Sequence, residues 1–259
     1  MSESIAFDRA ADTYDQTRIL SAEAKAKVEK LLAAELAGRG RCLEIGVGTG
    51  RIALPLVEGG VDVVGVDLSL PMLSKLVKKA GGASSFPLAQ ADATRLPFAD
   101  GVFGAAYCVH VLHLIPNWRE AVAELARVVR RPGGVVLVDL GGMSTVLDEL
   151  HERLAREAGT TSRHPGLDAE GGPELDVEFA RYGGRVRELP PIPEDWRMPL
   201  EGFITFFEGG VFSWSWSIRE EERRRAAAAV RPWAEERFGP LDEPWSIDRT
   251  IRWRAYDLA

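Results

Sequence analysis

The sequence predicts a doubly wound α/β fold, a mostly parallel sheet with helices on both faces. Three observations lead there. An apolar run at residues 42–45 passes into Gly46-Val47-Gly48-Thr49-Gly50 and then into a helix-like pattern at 52–54. A second apolar run, 61–67, closes on Asp67, about 20 residues past the first glycine. Further apolar runs at 86–93, 102–109 and 135–140 alternate with helical patterns, as repeated strand–helix units require.

The glycine stretch is the centre of the pattern. Without a Cβ, glycine lets a turn take up unusual dihedrals and lets backbone lie close against a ligand. A helix beginning just after the turn points free N–H groups back toward the strand end. A ligand-free strand-to-helix turn would use the same glycines, but two acids argue for a ligand. Asp67 stands where a carboxylate accepts hydrogen bonds from ribose hydroxyls. Glu44 lies inside the first strand, immediately before the loop. A nicotinamide-binding fingerprint spaces its glycines G-x-G-x-x-G. Here they are spaced G-x-G-x-G behind a carboxylate.

The run from Glu44 to Gly50, taken with Val66-Asp67-Leu68-Ser69, resembles the class I S-adenosylmethionine-dependent methyltransferases. The similarity is greatest to the small-molecule branch related to the ubiquinone and menaquinone methyltransferases. It covers residues 7–140 well and the remainder in outline. It implies a Rossmann-like class I methyltransferase fold: a mostly parallel seven-stranded sheet with an antiparallel last strand, helices on both faces and a helical, aromatic cap inserted in the C-terminal half. It also implies S-adenosyl-L-methionine as cofactor, S-adenosyl-L-homocysteine as product and a small-molecule methyl acceptor.

Carried over residue by residue, the resemblance assigns Glu44, Gly46, Gly48 and Gly50 to the cofactor loop and Asp67 to the ribose. Leu68 would pack on adenine with Met72 beside it, unless Met72 is simply core. Asp92 would accept from the adenine exocyclic amine, with the Ala93 N–H next to it; the alternative for Asp92 is a turn cap. Tyr14 and Arg18 belong to a "YD…R" segment that folds over the cofactor in the family, and Cys108 joins the cofactor set. A tyrosine face near a sulfonium is chemically sensible, because aromatic rings attract cations. One departure is Gly104, where the family often has Asp after the phenylalanine.

A chain of 259 residues suits one large α/β domain or a domain with a subdomain. The expected organisation is a single methyltransferase domain, 1–259, with an N-terminal lid and helix at 1–36 and a cofactor-binding core at 41–140. A cap insertion follows at 141–218, and a C-terminal helix and closing strand at 219–259. A net charge of −7 and a pI near 5.3 argue against a generic binder of nucleic acid or anionic membrane. Cys42 and Cys108 both lie in apolar runs, which argues against a disulfide framework and against a cysteine-based metal site. The polar start and the lack of a long apolar run lead us to expect a cytoplasmic protein without membrane association, monomeric or homodimeric.

Along the chain, residues 7–18 are polar with spaced aromatics, an ordinary N-terminal helix or the lid just described. Residues 21–36 form a helix with Ser21 as cap and Val28, Leu31, Leu32 and Leu36 on its apolar side. Ser69 caps a helix with Pro71 near its start. His110 and His113, just past the fourth strand, are three apart and are expected to share a helical face. At least one of them is a candidate catalytic group facing the acceptor, as base or orienting residue; two histidines alone do not make a metal site. Asn117 is the expected cap of the next helix, and 135–140 is the fifth strand. Beyond it come a helix at 145–158, a loop at 159–173, a strand at 183–189 and a linker at 190–199. The aromatic-rich segment 203–216 either shapes an acceptor pocket or packs a core. A charged helix at 219–237 and one closing strand at 247–258 complete the chain.

The residue Cys108 follows Tyr107 rather than proline, and no Pro-Pro-aromatic motif ends strand four, which excludes the base-methylating subclasses. Histidines stand where magnesium-dependent catechol enzymes would carry acids. A small organic acceptor remains. The competing readings are a non-catalytic S-adenosylmethionine-binding protein and a nicotinamide-dependent oxidoreductase.

Overall fold

The computed structural model describes residues 4–12, 14–17, 20–142, 144–168 and 171–259. The chain divides into two compact units: Met1–Gly141 with Pro165–Ile192 and Ile251–Ala259, and Gly142–His164 with Pro193–Thr250. The stretch 141–218, taken from the sequence as one cap, is therefore shared between them.

The first unit contains the seven-stranded sheet. Its strands are β1 (Cys42–Ile45), β2 (Val63–Asp67), β3 (Leu88–Gln90), β4 (Ala105–Cys108), β5 (Gly134–Asp139), β6 (Gly184–Glu188) and β9 (Trp253–Leu258), in the order β3-β2-β1-β4-β5-β9-β6. The first five strands are parallel, and β9 runs antiparallel to both β5 and β6. Strands read as continuous apolar runs because both faces are covered. Leu43, Ile45, Val64, Val66, Ala106, Val136 and Val138 pack with α5 (Trp118–Val128) and α7 (Gly172–Ala180) on one face. Their neighbours Cys42, Val63, Ala105, Tyr107, Val135 and Leu137 pack on the other with α2 (Ala22–Leu36), α3 (Ala53–Glu58) and α4 (Leu70–Lys79). Strand order reverses at β1, which lies between β2 and β4, so a crevice opens at the carboxyl ends there.

The capping expectations divide. Ser21 accepts from Ala24 N at 3.1 Å and Ser69 from Met72 N at 3.3 Å. Asn117, in contrast, makes no side-chain cap; its backbone carbonyl accepts from Glu120 and Ala121 instead. The N-terminal segment is a short 3-10 turn followed by α1 (Tyr14–Thr17).

The second unit has its own core. The helices α6 (Thr145–Glu157), α8 (Leu200–Glu208) and α9 (Glu220–Phe238) bury Leu150, Leu154, Phe207, Ala227 and Val230 together. The charged helix is thus solvated on one side only: Glu220 pairs with Arg224 outside, while alanines and Val230 pack inside. Phe203, Phe207, Phe212 and Trp214 belong to this core, with Phe207 stacked on Trp214 at 5.3 Å.

Two sequence expectations are corrected here. The proline-bounded linker is strand β7 (Ile192–Pro199), paired with β8 (Pro244–Ile251) in a two-stranded sheet. The single closing strand is two, β8 and β9, broken at Arg252, just past the point between Thr250 and Ile251 where the chain passes from one unit to the other. Among the described residues no helix is long and apolar enough to cross a membrane.

Candidate functional site

The three loop glycines all lie at positive φ, +66° at Gly46, +54° at Gly48 and +76° at Gly50. Packing restricts two of them further. A Cβ on Gly46 would lie 2.2 Å from Val111 Cγ2, and one on Gly50 would lie 2.8 Å from Leu76 Cγ. At Gly48 a Cβ would meet Met72 Cε at 3.4 Å and the Gly46 carbonyl at 3.9 Å, both ordinary contacts, so that position stays open backbone. The loop is tied to the end of β2 by Asp67. Its Oδ2 accepts from Gly48 N and its Oδ1 from Ser69 N, each at 2.8 Å. Burial raises the Asp67 carboxyl against the pull of these amides. Each carboxylate oxygen carries a second lone pair, so the group keeps acceptor capacity toward hydroxyls.

Before the loop, Glu44 is buried among strands, 2 % exposed, and its Oε2 has no hydrogen-bond partner among the described residues. Burial pushes its carboxyl up to about 8, with Tyr107 and Arg51 pulling the other way and Asp67 adding to the rise. A carboxylate in that condition favours a cationic ligand group and opposes a phosphate.

The remaining sequence candidates spread around the same crevice. Asp92 does form a turn cap: Oδ1 accepts from Thr94 N and Thr94 Oγ1, both at 2.9 Å, leaving Oδ2 outside that turn. Ala93 follows it, half-buried. Leu68 is half-buried and its carbonyl accepts from Gln90 Nε2 at 3.0 Å. Met72 is buried in α4 beneath Gly48, and Cys108 is buried at the end of β4, its thiol raised far above the ordinary range by burial. Tyr14 meets Phe7 edge-to-face at 5.9 Å. Arg18 lies outside the described residues.

Several contacts were not anticipated. Thr49 in the glycine loop donates to Asp15 Oδ1 at 2.6 Å, and Lys79 of α4 pairs with Asp15 Oδ2 at 2.7 Å. Asp12 pairs with Lys75 one turn away. The N-terminal segment is thereby fastened to both loop and helix. An Asp-x-x-Asp run facing a Lys-x-x-x-Lys run was the available signal.

The histidines do not share a helical face. His110 precedes the short 3-10 turn that carries His113 and is the only non-glycine at positive φ among the described residues, at +53°. Its Nε2 approaches Asp139 Oδ2 at 3.4 Å. The Asp139 side chain is 2 % exposed, with Oδ1 accepting from Gly141 N at 2.7 Å, while the His110 ring is 38 % exposed. The half-buried His113 contributes a backbone carbonyl to Gly166 N at 2.9 Å. Asp139 carried no role in the sequence reading, although its place at the end of β5 beside β4 was the clue. No cluster of three His, Cys, Asp or Glu side chains able to hold a metal occurs among the described residues.

A parallel sheet that reverses at β1, a positive-φ glycine loop, a buried acid before it and an acid closing β2 define a nucleoside-binding enzyme of the Rossmann-like methyltransferase class. The comparisons with known proteins agree. A family model described as "Methyltransferase domain" matches residues 43–138. A phosphatidylethanolamine N-methyltransferase of Cereibacter sphaeroides is 35 % identical over 149 residues, which cover 53 % of this chain and 71 % of that protein. A demethylmenaquinone methyltransferase of Renibacterium salmoninarum is 34 % identical over 135 residues, 51 % of this chain but only 55 % of that protein. The crystal structure of the YcgJ protein from Bacillus subtilis shares the fold, with a TM-score of 0.62 at 21 % identity over 92 % of this chain and 99 % of that one. The chain belongs to the S-adenosylmethionine-dependent methyltransferases.

Proposed function

We propose that this protein transfers a methyl group from S-adenosyl-L-methionine to a small-molecule acceptor by in-line displacement. The observation that carries the reading is Glu44: a buried carboxylate with an unpartnered oxygen, set against three positive-φ glycines. That arrangement accommodates a cationic nucleoside and disfavours a pyrophosphate. Asp67 holds the ribose through its remaining lone pairs, and Asp92 Oδ2 with the Ala93 N–H reads the adenine edge, Leu68 and Met72 lining its face. Tyr14 closes the N-terminal side near the sulfonium, and Cys108 forms an inert wall.

When bound, the cofactor supplies an electrophilic methyl on a sulfonium and its own leaving group. The protein's part is to align and to exclude water, effects worth up to about 7–11 kcal/mol of barrier. On the acceptor side His110, oriented by Asp139, is the candidate general base, with His113 the second candidate. A base matters only for a nucleophile that arrives protonated. The acceptor is a free metabolite rather than nucleic acid or an anionic membrane surface, a choice the net charge of −7 favours, and the two free buried thiols suit a cytoplasmic setting.

Calorimetric titration with S-adenosylmethionine and, separately, NADH tests the cofactor: binding of the first only supports the reading, and binding of the second overturns it. Incubation with methyl-labelled cofactor and a metabolite extract tests turnover. Tight binding without transfer of label to any small molecule would favour a binding protein instead.

A further inference from the structure

Glu44 has a neighbour that the proposed function does not use. In the parallel ladder between β1 and β4, Glu44 lies directly abreast of Tyr107. Residues paired in this way send their side chains to the same face of the sheet. Tyr107 is 0 % exposed, and its hydroxyl, like Glu44 Oε2, has no hydrogen-bond partner among the described residues. Two buried polar oxygens are thus set side by side beneath the glycine loop, near enough for the phenol to favour the Glu44 carboxylate yet short of full hydrogen-bond geometry. On the far side of Glu44 the ladder partner is Gly65, which offers no side chain.

Unsatisfied buried groups cost about 1–3 kcal/mol each, so such a pair needs a reason. An ionised Glu44 would accept strongly from the phenol and satisfy it; a protonated Glu44, a weaker acceptor, holds the phenol less firmly. A cationic ligand group at the loop favours the ionised form.

We propose that Tyr107 is a positioning residue for the cofactor. Its hydroxyl donates to Glu44 when that carboxylate ionises on meeting the cofactor's ammonium group, and one proton leaves Glu44 for solvent as the cofactor binds. This rests on the cofactor reading above. Proton balance is closed: Glu44 loses the proton, bulk water takes it, and Tyr107 keeps its own. Tyr107 on β4 and Arg51 after the loop favour the carboxylate, and Asp67 at the end of β2 opposes it. Cys42 and Cys108, whose charged forms interact with Tyr107 and with Glu44 respectively, are held as neutral thiols by burial.

The experiment is titration calorimetry of the full chain with S-adenosylmethionine at about pH 6.5, where the cofactor's own α-ammonium stays protonated. It is run in two buffers of different ionisation heat. The wild type is expected to release roughly one proton per cofactor bound. Glu44→Gln is expected to release none. Tyr107→Phe still releases it but binds roughly tenfold more weakly, because Glu44 ionises about one pH unit higher without the phenol. Carbon-13 carboxyl shifts of the unloaded protein follow Glu44 directly, and its midpoint should rise in Tyr107→Phe. Equal binding heats in the two buffers, or an unchanged Glu44 midpoint in Tyr107→Phe, would overturn the proposal. Failure of the wild type to bind cofactor at all would instead overturn the reading beneath it, and the carboxyl titration would still decide the coupling. Circular dichroism of each variant guards against misfolding.

Discussion

Single residues carry the chemistry, and Glu44 shows how burial sets its sign. Its folded-state carboxyl is raised from an ordinary 4.5 to about 8, burial being the main cause. A raised acid binds its proton more tightly folded than unfolded, so stability falls as pH rises from about 4.5 through about 8. Glu44→Gln removes that dependence. The variant, free of cofactor, is expected to melt close to wild type near pH 4.5 and above it near pH 8.5, by an amount worth a few kcal/mol at most. Parallel melting curves at both pH values would show that Glu44 is not neutral in the folded chain. Asp67→Ala is expected to weaken cofactor affinity by about 1–3 kcal/mol, measured by calorimetry, since it removes the proposed ribose acceptor and the tether on Gly48 N. For the acceptor side, His110→Ala and Asp139→Asn should lower turnover with little change in cofactor affinity, and His113→Ala less so. The reverse ranking would move the base to His113. The glycines and Glu44 of this candidate site stand out in the sequence because they are neighbours in the chain. The Tyr107–Glu44 and Asp139–His110 pairs do not, because one joins two strands and the other a strand end to the loop after its neighbour, and only the folded sheet brings either together.

At the scale of elements, the periodic segments were read correctly where both partners of the pattern lie in one layer. The apolar side of α2 and the parallel runs β1, β2, β4 and β5 are examples, since burial on two faces writes itself as an unbroken apolar run. The pattern failed where pairing is tertiary. Strand β7 has prolines at both 193 and 199 and reads as a linker, but β8 supplies its ladder. The spacing of His110 and His113 suggested a helix, yet the backbone turns left-handed at His110 before the 3-10 turn begins. The N-terminal segment gives a testable case of an element held by few bonds. Exposed ion pairs such as Asp12–Lys75 contribute little on their own. The hydrogen bond from Thr49 to Asp15 joins the segment to the glycine loop itself. Asp15 is held below the ordinary carboxylate range by Lys79 and Thr49, although burial acts to raise it. Thr49→Val keeps the volume and removes the donor. It is expected to hasten proteolytic cleavage within residues 4–17 and to weaken cofactor binding by about 1 kcal/mol. Unaltered cleavage and affinity would mean that the ion pairs suffice.

For the whole molecule, the division into two units with separate cores makes a prediction that neither core makes alone. The cofactor loop, Glu44, Asp67 and the histidines all belong to the unit built on the seven-stranded sheet. The aromatic core of Phe203, Phe207, Phe212 and Trp214 belongs wholly to the other. Phe207 is fully buried and stacks on Trp214, so Phe207→Ala leaves a cavity where a ring was, a change that costs about 3–5 kcal/mol in a packed core. If cofactor capture is a property of the sheet unit, the variant should retain wild-type affinity for S-adenosylmethionine in calorimetry. Hydrogen exchange should quicken in α6, α8 and α9 and stay slow in β1, β4 and β5. Turnover with an acceptor would then report separately whether the aromatic core shapes the acceptor's environment. Loss of turnover with cofactor affinity intact assigns the second unit to acceptor selection. A fall in cofactor affinity matching the loss of stability would show instead that the two cores unfold cooperatively.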